Sequence, residues 1–210
     1  MIRILVADDH AVVRQGVKQI LADVSDMTVK DESQNGPETL KKVMEQEFDV
    51  VLLDISMPGR SGLEVLEDIK AQRPKLSVLI LSMHPEEQYA VRALKAGASG
   101  YLTKASAPQE LIGAIRKVAG GGKYVTASLA EKLADQLEAD KEKMPHELLS
   151  NREHQVMLML AAGKSVSDIA DELCLSVKTI STYRTRVMAK MGMRKNAELT
   201  LYAVHNKLIN

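Results

Sequence analysis

Acidic, hydroxyl and basic residues stand where apolar segments of the chain end. Asp8 and Asp9 follow IRILVA, Asp54 follows VVLL, Ser82 closes LSVLILS and Lys104 closes SGYLTK. Acids held close together raise one another's pKa unless a cation neutralises them. Mg²⁺ suits such a cluster because it prefers oxygen ligands and keeps waters that a phosphate can replace. If these residues converge, Asp54 can attack phosphorus as a nucleophile, while Lys104 and Ser82 bind the phosphoryl oxygens.

The first 120 residues alternate short apolar runs with amphipathic stretches. The pattern predicts strands at 2–8, 27–33, 50–53, 76–82 and 99–104, and helices at 12–23, 38–46, 63–72, 86–96 and 107–120. Five such units in succession predict a doubly wound parallel sheet with right-handed crossovers. The first, third and fourth strands are the most apolar, which suits the centre of a flavodoxin-like sheet of order 2-1-3-4-5.

In that strand order, the carboxyl ends of the first, third, fourth and fifth strands lie side by side. Ligands of open parallel sheets collect outside these ends, so the acids, the hydroxyl and the lysine are expected in one cleft. An acid at one strand end is more often a helix cap or a solvated loop residue. The whole combination is much harder to obtain by chance, which favours a phosphoryl site.

The motifs VADDH, LLDISMPGRSG, LILS and GYLTK give residues 1–120 a resemblance to the receiver domain of bacterial two-component response regulators. The resemblance implies that Asp54 accepts phosphate from a histidine kinase and that Lys104 pairs with the phosphate. It also implies that Mg²⁺ is held by Asp8, Asp9, Asp54 and the backbone carbonyl of Ser56. The Ser82 hydroxyl and the Tyr101 ring are the implied switch residues. For Tyr101, ordinary packing in an edge strand is the alternative interpretation.

A polar, charged bridge follows the five units, and the last 60 residues have no strand pattern. We expect a receiver domain over 1–122, a linker with a helix through Leu129, Leu133 and Leu137 over 123–147, and a small all-α helix-turn-helix domain over 148–210. This last segment has nine Lys+Arg against five Asp+Glu, and the first 147 residues have 19 against 23. A basic segment beside an acidic body indicates an anionic partner.

The basic segment has helix-turn-helix spacing. A capping box, Ser150-x-x-Glu153, opens one helix and Gly163 ends it; a second helix runs over 167–173, and a turn at 174–176 leads to a third. Projection of 178–191 places three apolar residues inward and small or basic ones outward: Ile180, Val187 and Met191 against Lys178, Ser181, Thr182, Thr185 and Ala189, with Arg186 beside them. Six basic residues and no acid lie between 178 and 195, as a phosphate-facing surface requires. A solvated basic face is the alternative.

LSNRE, AAGKSVSDIADEL, SVKTIST, KMG and NAEL give residues 148–205 a resemblance to the C-terminal domains of the LuxR/NarL group of regulators. The resemblance implies double-stranded DNA as partner. It implies base contacts from Ser181, Thr182 and Thr185, and backbone contacts from Lys178, Thr179, Tyr183, Arg184 and Lys190. Tyr183 stands where a histidine is common. The last helix is expected either in a dimer contact or in the domain core.

Composition narrows the class of protein further. Hydrophobic residues make up 45% and charged residues 27%, which is ordinary for a globular chain. Cys174 is the only cysteine, so no intramolecular disulfide can form and a reducing cytoplasm fits. The first apolar run breaks at Asp8, too early for a secretory signal, and no window approaches the roughly 18 apolar residues of a membrane span. We expect a cytoplasmic protein without membrane contact.

Together these features predict a phosphorylation-controlled, DNA-binding transcriptional regulator of the NarL/FixJ type. Phosphorylation is expected to promote homodimerisation, to free the reading helix, or both. Such a protein is no enzyme beyond its own phosphotransfer and dephosphorylation. A phosphate-transferring hydrolase is less favoured, because Ser56 stands where a general acid would be needed. Phosphorylation-independent DNA binding is less favoured because the set of acids, hydroxyl and lysine is complete.

Overall fold

The computed structural model describes residues 1–127, 129–131 and 144–209, without the side chain of residue 87. The chain divides into two compact units, Met1–Ala130 and Glu131–Asn210. The expected linker helix lies mostly outside the described residues. Of its three leucines only Leu129 is described, and it is buried.

The first unit is a five-stranded parallel sheet of order β2-β1-β3-β4-β5, as predicted. Its strands are β1 (Ile2–Ala7), β2 (Met27–Ser33), β3 (Val50–Leu53), β4 (Ser77–Ser82) and β5 (Gly100–Thr103). The helices between and after them are α1 (Ala11–Ala22), α2 (Gly36–Glu45), α3 (Gly62–Gln72), α4 (Glu86–Lys95) and α5 (Pro108–Ala119). The predicted and observed elements differ by a residue or two at their ends.

The sheet register aligns the carboxyl-terminal parts of four strands, with β4 and β5 running two residues farther than β1 and β3. One row of paired residues crosses the sheet as Ala7, Leu53, Ile80 and Tyr101. All four residues are buried, because helices cover both faces of a parallel sheet and its central strands can be apolar throughout. The residues that follow this row therefore emerge together at one edge.

Gly62 allows α3 to begin directly against the end of β3. Its N–H donates to Ile55 O at 2.8 Å, and a Cβ at this position would lie 1.9 Å from Asp54 O. A capping box fixes the same turn, since Ser61 and Glu64 each bond to the other's backbone N–H. The close approach of Gly62 and the capping box therefore fix the position of the backbone at Asp54.

The edge of β5 is partly covered by the chain that follows α5. Tyr124 N–H donates to Ser99 O at 2.8 Å, and Tyr124 forms an isolated parallel bridge with Gly100. A Cβ on Gly100 would lie 2.7 Å from Tyr124 O, so only glycine allows this approach. Residues through Ala130 therefore belong to the first compact unit.

Among residues 144–209 the second unit is helical throughout, as predicted. A 3₁₀ turn (Pro145–Leu148) precedes α6 (Asn151–Ala161), α7 (Val166–Glu172), α8 (Val177–Met191) and α9 (Asn196–His205). Serines cap the first three of these helices, each accepting from the N–H three residues on: Ser150, Ser165 and Ser176. Nowhere in the described chain is a helix both long and apolar enough to span a membrane.

The turn between α7 and α8 contains Cys174 in a left-handed conformation, with φ of 52°. Its N–H donates to Asp171 O at 3.2 Å, which closes the end of α7. On the inner face of α8, Ile180, Val187 and Met191 are buried, as the helical projection predicted. This arrangement leaves the opposite face of α8 exposed.

Candidate functional site

A buried acid–lysine site lies at the carboxyl edge of the sheet. Lys104 Nζ is 2.7 Å from Asp8 Oδ2 and 3.0 Å from Asp54 Oδ2. The side chains of Lys104, Asp8 and Asp54 are only 6%, 3% and 1% exposed. The N–H of Lys104 donates to Ser82 O at 2.7 Å, which ties the residue after β5 to the end of β4. The three charged groups thus meet because each follows the carboxyl end of a strand at the same edge of the sheet.

The charges of this site perturb one another. Burial raises the pKa of Asp54, the charge of Lys104 opposes that rise, and the nearby charge of Asp8 adds to it. Burial alone would lower the pKa of Lys104, but the charges of Asp54 and Asp8 outweigh it and leave that pKa raised. One buried ammonium therefore faces two buried carboxyl groups. A further cation would neutralise their remaining negative charge.

Oxygen ligands for a divalent cation converge beside Asp54. Asp8, Asp9, His10 and Asp54 each place one ligand atom within 4.8 Å of the others. Both carboxylate oxygens of Asp54 are buried, and the polar groups that approach them are the Lys104 ammonium and the Ser56 N–H, neither at ideal hydrogen-bond geometry. Buried carboxylate oxygens with unused acceptor capacity fit Mg²⁺, which prefers oxygen ligands.

His10 belongs to this cluster, and the sequence analysis did not single it out. Its N–H donates to Asp8 Oδ1 at 2.9 Å, and its ring Nδ1 lies 2.8 Å from Asp9 Oδ1. The ring is 61% exposed. The sequence signal was its position directly after two acids at a strand end.

Arg14 fixes the backbone of the acidic site and was also missed. Its guanidinium donates to Asp8 O at 2.8 Å and to Glu32 Oε2 at 3.0 Å, and Lys18 is ion-paired with the same Glu32. Arg14 is buried on α1, whereas arginine is rarely buried without partners. A basic residue on the apolar side of an amphipathic helix was the available signal.

Ser82 at the end of β4 and Tyr101 within β5 both bond to the backbone of His84. The N–H of His84 donates to Ser82 Oγ at 3.1 Å, and Tyr101 Oη donates to His84 O at 2.8 Å. Ring Nε2 of His84 lies 3.1 Å from Ser56 Oγ. Ser82 and Tyr101 are fully buried, so both lie in the interior and are bonded to the same loop.

On α8, the residues predicted to contact DNA differ in exposure. Six are exposed: Lys178, Ser181, Thr182, Thr185, Arg186 and Lys190. Thr179, Tyr183 and Arg184 are half-buried. Thr179 helps to start the helix, since its N–H donates to Ser176 Oγ at 3.0 Å.

Two of the predicted phosphate-contacting residues are already engaged within the unit. Lys190 Nζ donates to Glu153 Oε2 at 2.6 Å, and Arg184 Nε donates to Asn196 Oδ1 at 3.0 Å. Burial would raise the pKa of Glu153, but Lys190 and the Ser150 N–H lower it overall. The ion pair joins α8 to α6, so Lys190 also holds the exposed helix in place.

Two family models match the chain. The response regulator receiver domain matches residues 4–116, and the model described as bacterial regulatory proteins, luxR family, matches residues 147–203. The matches coincide with the sheet unit and with the helical unit.

Relatives resemble the chain along its whole length. Response regulator UvrY of Escherichia coli K12 is 38% identical over 211 residues, covering 100% of this chain and 97% of the relative. Response regulator GacA of Pseudomonas viridiflava is 39% identical, with coverages of 100% and 99%.

Solved structures of RcsB from Salmonella are similar as well. One, of RcsB bound to the promoter rprA in the presence of the phosphomimetic BeF₃⁻, is 25% identical with a TM-score of 0.64 and covers 97% of this chain and 99% of its own. Another RcsB structure has a TM-score of 0.70 at 25% identity and covers 98% of both chains.

A doubly wound unit with a buried acid–lysine site, followed by a helix-turn-helix unit, defines a signalling protein with a DNA-binding output. The chain belongs to the two-component response regulators of the NarL/FixJ family, with a receiver domain and a LuxR-type DNA-binding domain.

Proposed function

We propose that Asp54 accepts a phosphoryl group from a histidine kinase and that this modification controls DNA binding by the helical domain. The observation that supports the proposal best is the buried Asp54 carboxylate, which lies 3.0 Å from Lys104 and has unused acceptor capacity. Burying a carboxylate beside a second acid with a single ammonium to neutralise both is costly for stability, which favours a chemical role for Asp54.

In the transfer, an Asp54 carboxylate oxygen attacks the phosphorus of a phosphohistidine. The oxygen–phosphorus bond forms as the phosphorus–nitrogen bond breaks, and the electron pair of that bond goes to the imidazole nitrogen. Lys104 neutralises negative charge on the phosphoryl oxygens, and Ser82 can donate its hydroxyl proton to one of them. Hydrolysis of the acyl phosphate returns Asp54 to its free form, and we propose no further enzymatic activity.

Mg²⁺ would be held by Asp8, Asp9, Asp54 and the backbone carbonyl of Ser56. When bound, it supplies positive charge to the phosphoryl oxygens and lowers the repulsion between them and the carboxylates. Arg14 orients the Asp8 backbone through its bond to Asp8 O. His10 holds both acidic side chains of the pair through its backbone N–H and its ring.

Ser82 and Tyr101 form the switch in this proposal. A phosphoryl group adds roughly 1.5–2 negative charges and three strong acceptors. Ser82 then turns toward the phosphoryl group, and its bond from the His84 N–H is broken. Because Tyr101 is bonded to the same residue, the loop after β4 and the Tyr101 ring respond together.

For the output, α8 enters the major groove of double-stranded DNA. Ser181, Thr182 and Thr185 face the base edges, with Arg186 beside them. Residues around this set contact the phosphate backbone: Lys178, Thr179, Tyr183, Arg184 and Lys190. The run of basic residues without an acid supports this orientation, because phosphate contacts supply much of the affinity for DNA.

Phosphorylation raises DNA affinity in this proposal by promoting homodimers, by freeing α8, or by both. One helix-turn-helix domain reads a half-site weakly, and two linked copies bind tightly through their effective concentration. The RcsB structures support this by similarity, since they include RcsB on promoter DNA with a phosphomimetic and two RcsB dimers bound to two parallel DNAs.

Intact-mass spectrometry of the full-length protein tests the phosphoacceptor. The protein is incubated with acetyl phosphate and Mg²⁺, alongside Asp54→Asn and, as a control, Asp68→Asn, whose carboxylate pairs with Arg60 on the surface. We expect one phosphoryl adduct on the wild type and the control, none on Asp54→Asn, and none with EDTA. An adduct that persists on Asp54→Asn would refute the assignment of Asp54.

A further inference from the structure

Thr182 and Thr185 on the exposed face of α8 hold their hydroxyl groups against the helix backbone. Thr182 Oγ1 donates to Lys178 O at 3.0 Å, and Thr185 Oγ1 donates to Ser181 O at 3.0 Å. A threonine hydroxyl has one proton, so each bond uses the only donor that the side chain has. Both side chains remain exposed, and the bound hydroxyl lies along the preceding turn. The methyl group is then the part of each threonine that is free to contact another molecule.

A hydroxyl group that has already donated its proton cannot bond to the hydrogen-bond acceptors on base edges in the major groove. A methyl group can still contact the C5-methyl group of thymine. Guanine N7 and O6 and adenine N7 need a donor, which neither threonine retains. Thymine alone carries a C5-methyl group, with which apolar atoms make contact. Carboxylates, which accept from cytosine N4, do not occur between residues 178 and 195. The threonine oxygens keep lone pairs that can accept from adenine N6 or cytosine N4, but each oxygen lies against the preceding turn of α8 and is poorly placed to reach them. The two threonines therefore match thymine better than any other base.

Ser181 on the same face differs in the relevant way. It is exposed, and within the described part of the chain its hydroxyl makes no hydrogen bond. Its proton is free to reach an acceptor on a base, and it has no methyl group. Ser181 thus provides an internal comparison: an adjacent side chain of similar size whose readout depends on a hydrogen bond.

We propose that Thr182 and Thr185 select thymine through its C5-methyl group, while Ser181 reads a base by hydrogen bonding. This inference rests on the proposed function, because it requires α8 to enter the major groove. Removing one contacted methyl group from the DNA should weaken binding about fourfold, the equivalent of one buried methyl. The same loss should follow when the protein methyl group is removed.

The first step of the test identifies sequences that the protein reads. Full-length protein treated with acetyl phosphate and Mg²⁺ selects duplexes from a random-sequence library. The enriched duplex is then remade with 2′-deoxyuridine replacing each thymine in turn, which removes only the methyl group. Binding is measured by fluorescence anisotropy at one fixed salt concentration, since affinity for DNA depends on salt.

Matched variants separate the methyl group from the hydroxyl. Thr182→Ser and Thr185→Ser keep the hydroxyl and remove the methyl group, so they should lose the preference for thymine over uracil. Thr182→Val and Thr185→Val remove the hydroxyl and keep a methyl group, so they should retain it. Ser181→Ala should weaken binding to the thymine and uracil duplexes by the same factor.

Three outcomes decide the proposal. A loss of about fourfold at particular thymines, abolished by Thr→Ser and kept by Thr→Val, would support it. Equal binding of all thymine and uracil duplexes would overturn it, while the enrichment itself would leave the DNA-binding function standing. Failure of the library to enrich any sequence would overturn both the thymine readout and base-specific DNA binding.

Discussion

Replacing Lys104 by methionine should destabilise the receiver domain strongly when Mg²⁺ is absent. The ammonium of Lys104 lies between two buried carboxyl groups, 2.7 Å from Asp8 and 3.0 Å from Asp54. Methionine has a similar length and no charge, so it leaves both acids without their cation. The experiment therefore measures how much of the domain's stability depends on neutralising the acidic site.

The magnitude follows from the burial of all three side chains. Removing one partner of a buried ion pair costs about 3–5 kcal/mol. The lower end applies here, because Asp54 can take up a proton instead of staying charged. We expect the free energy of unfolding of the receiver to fall by about 3 kcal/mol at pH 7, which corresponds to roughly 10 °C in Tm.

The pH dependence has a defined sign. Burial and the charge of Asp8 raise the pKa of Asp54, and the charge of Lys104 lowers it, so the variant should have a still higher pKa there. In the folded variant Asp54 then keeps a proton that the unfolded chain releases above about pH 4. Stability due to this group is therefore lost as pH rises from about 4 through the raised pKa of the folded state. The Lys104→Met variant should be closest to wild type near the acidic end of this range.

Thermal melts followed by circular dichroism check these expectations at pH 5 and pH 7, in EDTA and in Mg²⁺. Mg²⁺ should recover part of the loss in Lys104→Met, because the dication neutralises the same carboxylates. Lys41→Met is the control, since its side chain is 71% exposed and pairs with Glu45 on the helix surface. A cost below about 1 kcal/mol, independent of pH and Mg²⁺, would refute the reasoning, because that is the range of surface pairs.

Other substitutions test the support around the site. Arg14→Lys should weaken Mg²⁺ binding about tenfold in isothermal titration calorimetry, because outer-shell partners orient metal ligands. The control is Arg3→Lys, which disrupts a similar two-point ion pair at the other end of β1 and should leave Mg²⁺ binding unchanged. Equal effects of the two would contradict a role for Arg14 at the metal site. Gly62→Ala should lower the urea midpoint, because its Cβ would lie 1.9 Å from Asp54 O. Gly113→Ala has open space around it and should instead raise stability by about 0.5–1 kcal/mol. Tyr101→Phe loses one buried hydrogen bond and should cost about 1 kcal/mol in the same assay; no change would show that the bond contributes nothing.

The fold could be predicted because its elements depend on local patterns. Apolar runs identified β1, β3 and β4 and placed them at the centre, weaker patterns indicated β2 and β5, and helical periodicity identified the helices. Strand order then determines which strand ends are neighbours. Asp8, Asp54 and Lys104 could therefore be predicted to meet before any distance was known.

Contacts that depend on tertiary detail could not be predicted in the same way. His84 connects Ser82 and Tyr101 through its backbone, and a backbone contact leaves no residue-type signal in the sequence. The pairing of Lys190 with Glu153 depends on how α8 crosses α6, which neither helix specifies alone. The hydroxyl orientation of Thr182 and Thr185 is a choice of rotamer, and a helical projection gives only the direction of each residue.

The most direct test of the central claim is the DNA affinity of the full-length protein with and without phosphorylation. The duplex is the one enriched from the random library, and anisotropy is measured for wild type and Asp54→Asn, each with Mg²⁺ and with or without acetyl phosphate. We expect phosphorylated wild type to bind at least about tenfold more tightly, within the usual range of coupling between sites, and Asp54→Asn to show no change. Equal affinity of phosphorylated and unphosphorylated wild type would contradict control of DNA binding by Asp54.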